Sequence, residues 1–262
     1  MTIPRVITLL TDFGLADSYG AMMKGVIAQI APTATVIDLT HQIPPQNVAA
    51  ARFQLMTAYA YFPRGTVHVA VVDPGVGSQR RAIAVELDDG ILVAPDNGLI
   101  SGVLQTKRPQ AAVVLNRPQY WRSANPSTTF HGRDIFAPVA AHLAQGVPLL
   151  DVGETIAPDS LVDLPLNTWQ RSGNTITGCI QAIDHFGNGI TTIPAAAVAG
   201  REWHSTWGDR RIPGAHTYTD VPVGEPLLLV GSHGWVELAV NQGNAQQLLG
   251  FTWGSPLQLD LS

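Results

Sequence analysis

The sequence predicts an α/β N-terminal domain, with a mixed, largely parallel sheet flanked by helices, and a small all-β C-terminal barrel. Three observations predict it. Between residues 1 and 155, β-branched apolar runs alternate with helix-length stretches, the pattern of strands sandwiched by helices. Beyond residue 155 helix signals nearly vanish, and short strand-like runs follow one another, punctuated by Gly, Asn, Asp and Pro. The 262 residues are 45% hydrophobic and only 13% charged, which is a core-rich composition with length for one large domain or two modest ones. The domains are therefore placed at 1–155 and 156–262, with a linker at about 151–166, where periodicity is weak.

Residues 5–11 open the chain as a β-branched strand. A helix is expected at 18–31, with Asp17 or Ser18 to cap it and Pro32 beyond its end. Residues 35–39 read as a strand, 47–61 as a helix and 66–72 as a buried strand. The runs 82–87 and 91–94 flank Asp88-Asp89-Gly90, a hairpin signal. A strand at 111–115 and a helix at 134–145 complete the first domain. In the second, strands are expected at 174–183, 189–193, 226–230, 235–240 and 256–261.

Several function classes are disfavoured. The formal net charge is −5 and the basic residues are scattered, so no basic stripe is available for nucleic acid. Cys179 is the single cysteine, which excludes an intrachain disulfide and any multi-cysteine metal site and fits a reducing cytoplasm. The N-terminus reads as a strand and not as a signal peptide, and no apolar run approaches the roughly 20 residues of a membrane helix. No His-Glu-x-x-His helix or close ligand pair suggests a metal, and no Gly-x-Ser-x-Gly elbow suggests a serine hydrolase.

The most informative stretch is 71–81. A buried strand delivers Asp73 to a Pro-Gly break, and Arg80 follows seven positions later. An acid at the carboxyl end of such a strand is where α/β enzymes keep their chemistry. With His131 in Phe130-His131-Gly132-Arg133-Asp134, these residues make a set able to hold a water in a dry pocket. A purely structural Asp–Arg pair is the competing reading. Asp12, in Thr11-Asp12-Phe13-Gly14, ends the first strand, where an acid either accepts a ribose diol or caps a turn. The full dinucleotide fingerprint is absent, because Arg80 stands where its third glycine belongs, and there is no phosphate loop. A nucleoside without polyphosphate is the easier ligand. Asp184-His185-Phe186-Gly187-Asn188 and Ser232-His233-Gly234-Trp235 are turns between strands, suited either to ligand contacts or to nothing more than a reversal.

Taken in order, these motifs resemble the S-adenosylmethionine hydroxide adenosyltransferases, relatives of the fluorinase and chlorinase. Lys24-Gly25, Asp38-Leu39-Thr40-His41, Val72–Gly77, Ala94-Pro95-Asp96-Asn97-Gly98 and Thr129–Asp134 carry the resemblance with the motifs above, over nearly the whole chain. It implies hydrolysis of S-adenosylmethionine, as substrate and with no cofactor, to adenosine and methionine by displacement at the ribose C5′. It implies a homotrimer with sites between the N-terminal domain of one subunit and the C-terminal domain of its neighbour. Asp73, Arg80 and His131 match the family's water-activating trio, with Arg81 adjacent and the choice between the two arginines resting on spacing. Proton removal falls to His131 or to the Asp73–Arg80 pair. Asp12 matches the ribose acid, Asp17 and Asp184 acids near the methionine part, Phe186 and Asn188 adenine contacts, and Ser232 a serine near the methionine carboxylate. Gln46 stands where an aromatic is expected, and His233 where the fluorinase has Arg. The fluorinase carries Tyr in place of Asp73, so water is favoured over halide. A chloride-using halogenase and a non-catalytic adenosine or S-adenosylmethionine sensor are the alternatives.

Overall fold

Strand β1 (Val6–Thr11) leads into helix α1 (Tyr19–Ile30), then β2 (Thr35–Thr40), helix α2 (Val48–Ala58) and β3 (Thr66–Val71). An antiparallel pair follows, β4 (Ala82–Glu86) with β5 (Gly90–Pro95), then the short helix α3 (Ser101–Leu104) and β6 (Ala111–Val114). Helix α4 (Ala137–Ala144) and the two-residue strand β7 (Glu154–Thr155) complete the first of two units, Met1–Leu164 and Pro165–Ser262. The computed structural model describes residues 6–164 and 168–262.

The first sheet has the order β2-β1-β3-β5-β4-β6-β7. Its β2-β1-β3-β5 half is parallel and the rest antiparallel. Alternation along each strand builds a core on both faces. Ile7, Leu9, Val67, Val69 and Val71 meet α1 and α4, while Leu10, Ala70 and Val72 meet α2 and α3. This is why β3 and β5 are buried at every position and read as continuous apolar runs. The chain goes from β1 to β2 on one side and returns past β1 to β3 on the other. The order therefore reverses at β1/β3, and a crevice is expected outside their carboxyl ends. Thr11 lies opposite Val71, so Asp12 and Asp73 emerge from neighbouring strand ends.

Some boundaries differ from the sequence reading. Ser18 occupies the N-cap position of α1 but makes no side-chain capping bond. The helix expected at 47–61 ends at Ala58 and tightens into a 3₁₀ turn, Tyr59–Tyr61. The helix expected at 134–145 starts as a π-helical turn, Gly132–Phe136, a feature frequent at functional sites. The stretch read as a linker, 151–166, packs on the first unit through residue 164, and its residues 165 and 166 lie outside the described ones. Val152 is buried, Arg81 donates to Ser160, and the Val162 N–H donates to Asp96.

The second unit is a nearly closed barrel-like sheet. Its strands are β8 (Gln170–Ser172), β9 (Thr175–Ile183), β10 (Gly189–Pro194), β11 (Trp203–Trp207), β12 (Arg210–Pro213), β13 (Pro226–Val230), β14 (Trp235–Val240) and β15 (Pro256–Leu261). The order is β12-β11-β15-β9-β10-β14-β13, with β8 beside β9, and a Gly214–Leu228 bridge nearly closes the ring. Ile176, Ile180, Leu238, Phe251 and Leu259 fill its interior. The β11–β12 hairpin escapes the sequence reading because β11 sets only its two end tryptophans against polar residues and the four-residue β12 opens on two arginines, so neither shows an apolar run.

Candidate active site

The loop after β3 folds back on itself. The Val76 N–H donates to the Asp73 carbonyl, and the Ser78 hydroxyl donates to the Gly75 carbonyl at 2.7 Å. Gly77 has φ +79°, and a Cβ there would stand 2.6 Å from the Thr128 carbonyl oxygen. Only glycine lets this loop lie so close to segment 127–131. The reversal returns Arg80 to Asp73. Arg80 Nε donates to both carboxylate oxygens at 2.9 Å, and Nη2 donates to Oδ2 as well. Nη2 also lies 2.7 Å from His131 Nδ1, and the guanidinium carbon sits 5.3 Å from the centre of the Phe136 ring. Both side chains of the ion pair are nearly buried, at 10% and 6% exposure, so solvent screens the pair little.

Arginine has no acceptor, so His131 Nδ1 must accept from Arg80, and a neutral ring carries its proton on Nε2. Burial first, and then the Arg80 charge, push the His131 pKa below its usual value; Asp73 and Asp134 oppose this more weakly. Arg81 points elsewhere, to Asp96 and Ser160. Geometry thus separates the two adjacent arginines that spacing leaves ambiguous.

Asp12 is fixed from both sides. Its Oδ2 accepts the Gln46 N–H at 2.7 Å. Gln46 has φ +65°, an uncommon conformation for a residue with a side chain. What this position presents to Asp12 is therefore backbone. Behind Asp12, Thr11 Oγ1 accepts the Phe13 N–H and lies 2.8 Å from His41 Nδ1. His41 Nε2 approaches Asp38 Oδ1 at 3.1 Å but is misaligned for a hydrogen bond. Asp38 pairs in turn with Lys24 at 2.6 Å. Burial alone would raise the Asp38 pKa, but Lys24 and His41 outweigh it and the net shift is downward. Edge-to-face contacts of Phe130 with Phe13 and Tyr19 join the Asp12 loop to the segment carrying His131. Asp17 is exposed in the loop before α1, with no hydrogen bond among the described residues.

Sequence reasoning assigned no role to several supports. Asn97 Nδ2 donates to the Val72 carbonyl at 2.9 Å and braces the strand end beneath Asp73. Asp134 takes Arg122, Arg133 and the Ser127 N–H, tying down the segment that faces Gly77. Its pKa is held well below the carboxylate range, with the Arg133 hydrogen bond the largest cause. The signal lay in the Asn97-Gly98 and Gly132–Asp134 motifs, whose spacing names the residues but not their partners.

In the second unit, Asp184 Oδ1 accepts the N–H groups of Phe186 and Asn188 at 2.9 and 2.8 Å, and Oδ2 accepts the Asn188 side-chain amide at 3.0 Å. The carboxylate therefore shapes its own turn. Phe186 is left 70% exposed beside a cavity of about 440 Å³, which Asn188 and Tyr218 also line. Ser232 is exposed in the β13–β14 turn. The two turns stand at opposite ends of the β10–β14 pair, because Gly189 lies opposite Leu238 and Pro194 opposite Trp235. Three residues separate them along β14 and five along β10, because the register shifts between Ile190 and Pro194. Among the described residues no group of three His, Cys, Asp or Glu is arranged to hold a metal ion. No helix there is long and apolar enough to cross a membrane.

Comparison with known proteins matches residues 7–153 to the SAM hydroxide adenosyltransferase N-terminal domain and residues 178–258 to the C-terminal domain of the same name. The chain is 44% identical to the (R)-S-adenosyl-L-methionine hydrolase of Salinispora arenicola over 254 residues, 97% of each chain. It is 42% identical to that of Thermus thermophilus, covering 97% of this chain and 99% of the relative. The fluorinase of Actinopolyspora mzabensis is 30% identical over 90% of each chain. A crystal structure of an uncharacterized conserved protein from Thermotoga maritima superposes with a TM-score of 0.91 at 36% identity, covering 97% of this chain and 99% of that one.

Proposed function

The chain belongs to the SAM hydroxide adenosyltransferase family, and from that premise we propose that it hydrolyses (R)-S-adenosyl-L-methionine to adenosine and L-methionine. The R configuration at sulfur follows the names of the hydrolase relatives. The observation that carries the reading is the Asp73–Arg80–His131 constellation, nearly buried at the carboxyl end of β3. A water oxygen attacks C5′ in line with the sulfonium. The C5′–O bond forms while C5′–S breaks, the bonding pair passes to sulfur, and methionine leaves as a neutral thioether. The leaving group needs no acid and the reaction needs no cofactor. What remains is to hold a desolvated water in line with the carbon and to take its proton. His131 Nδ1 is occupied by Arg80, which supports Nε2–H as a donor that orients the water. Asp73 is then the group that faces the water's proton. Of the two acceptors the sequence left open, this favours the carboxylate.

Asp12 takes the ribose diol through the lone pairs that Gln46 leaves free, with Asp17 nearer the methionine part. Phe186 and Asn188 contact adenine, Asp184 holds their turn while facing the methionine part, and Ser232 receives the methionine carboxylate. The protein acts in the cytoplasm as a homotrimer, each site completed by the C-terminal domain of a neighbouring subunit. The test is incubation with each sulfonium epimer in ¹⁸O-water, with and without chloride, followed by mass analysis. The expected products are ¹⁸O-labelled adenosine and methionine in both buffers, with the R epimer turned over faster. Unlabelled adenosine, 5′-chloro-5′-deoxyadenosine or no product from either epimer refutes the reading.

A further inference from the structure

Glu237 lies on β14 between the two turns of the second unit and is 4% exposed. Its Oε1 accepts the Tyr218 hydroxyl at 2.6 Å, and its Oε2 lies 3.1 Å from His233 Nε2. The Trp235 N–H donates to His233 Nδ1, so the ring carries its proton on Nε2 and donates it to Glu237. Space for this carboxylate is encoded in the chain: a Cβ at Gly231 would stand 2.5 Å from both Glu237 Oε2 and His233 Nε2. Burial first, and then the Glu237 contact, push the Tyr218 pKa up, which keeps the phenol a donor. One buried carboxylate therefore grips the wall of the Phe186–Asn188 cavity through Tyr218 and the Ser232–Gly234 turn through His233. An unpartnered carboxylate at this depth is costly, and its two donors offset that cost.

We infer that Glu237 is a positioning residue for substrate binding, setting the nucleoside-facing Tyr218 and the amino-acid-facing turn at a fixed separation. The inference rests on the proposed function for what each turn contacts. It assigns His233, which stands where the fluorinase has Arg, to buttressing the turn through Glu237.

The experiment compares wild type, Glu237→Leu, Glu237→Gln and Tyr218→Phe, reading KM and kcat with (R)-S-adenosylmethionine and calorimetric affinities for adenosine and methionine. Leu removes both contacts. Gln keeps both, with its oxygen toward His233 and its amide toward the Tyr218 oxygen. Glu237→Leu is expected to raise KM about tenfold with kcat within about threefold, the size of one lost hydrogen bond to a charged group. Glu237→Gln is expected to return KM to within about threefold of wild type, because a neutral amide still makes both bonds. Tyr218→Phe is expected to weaken adenosine more than methionine. Unchanged KM in folded Glu237→Leu overturns the inference, as does a fall in kcat alone. If Glu237→Leu does not fold, Tyr218→Phe decides, since Tyr218 is 40% exposed and loses only a hydroxyl; unchanged adenosine affinity then overturns it. An active wild type with insensitive variants removes this inference alone. A wild type that neither reacts with nor binds either ligand removes the functional reading too.

Discussion

Replacing Arg80 by Lys tests the centre of the site. The guanidinium spans two partners at once, with Nε on both Asp73 oxygens and Nη2 on Asp73 and His131. Lysine keeps the charge but offers one compact ammonium on a shorter reach, so it cannot keep both contacts. At least the His131 bond is lost, and a hydrogen bond from a charged donor contributes about 1.5–3 kcal/mol. If that bond serves only to orient His131 for the transition state, kcat falls about 10- to 100-fold with KM little changed. A second signature follows from electrostatics. Burial and the nearby guanidinium both depress His131, while Asp73 and Asp134 act the other way. Moving the cation off Nδ1 removes one depressing influence, so the His131 pKa rises. Because the proposed role needs the neutral ring, activity in Arg80→Lys is expected to fail at a higher pH on the acid side than in wild type. The assay is a pH profile of kcat, with the His131 ring nitrogens followed by NMR. Wild-type kcat together with an unmoved acid limb refutes the reasoning.

Three further outcomes are expected. Asp12→Asn keeps an acceptor for the Gln46 N–H but exchanges one carboxylate oxygen for a donor; KM should rise about tenfold or more with thermal stability preserved, and unchanged affinity for adenosine by calorimetry excludes the ribose role. Gly77→Ala places a methyl against the Thr128 carbonyl at φ +79°. It should cost about 1–3 kcal/mol in urea unfolding and lower kcat by displacing the loop that returns Arg80; a variant with wild-type stability contradicts the observed contact. His68 is buried beside Thr8 and its pKa is pushed from 6.5 to about 4, with burial the dominant cause. The unfolded chain takes that proton more readily, so stability is complete above pH 6.5 and declines as pH falls toward 4. The loss is on the order of 3 kcal/mol and should shrink in His68→Gln, as measured by urea unfolding at both pH values.

Strands β1, β3 and β5 of the parallel half were legible because they are buried along nearly their whole length and bounded by Gly, Pro or Asp, whereas the edge strand β2 is partly exposed and showed only as a short β-branched run. The carboxylates Asp12 and Asp73 were legible for the same reason, since a polar residue after such a run must sit at its end. Asp73, Arg80 and His131 were named from the sequence, but only folding shows that Arg80 turns inward while Arg81 goes to Asp96 and Ser160. Two adjacent arginines after a reversal differ by which face of the chain they occupy, and composition is blind to that. The stretch 151–166 read as a linker because the anchors of its described part are distant: Ser160 is held by a residue 79 positions away and Val162 by one 66 positions away. Glu237 gave no signal at all. On an alternating strand it falls on the face opposite Val236, Leu238 and Val240 and reads as a solvent-facing acid, yet it is buried there, where Gly231 leaves room that a Cβ would fill.

The same geometry bears on why water and not halide is the nucleophile in the proposed reaction. A halide brings a full negative charge and must find positive charge or donors that are not already committed. Here the nearby cation is matched one-for-one by Asp73, at 6% exposure, and its Nε and Nη2 donors already serve Asp73 and His131. An anion about 4 Å from the carboxylate would meet repulsion of about 4 kcal/mol at the effective dielectric of a protein site, while the Arg80 charge that would offset it is already paired with Asp73. Water carries no such penalty and presents a proton to the carboxylate that would repel chloride. Neutralising Asp73 should therefore slow hydrolysis without slowing chloride entry. If Asp73→Asn gains chloride-dependent product while losing adenosine formation, the carboxylate is what selects the nucleophile. If adenosine formation persists at the wild-type rate, Asp73 neither accepts the proton nor makes that selection.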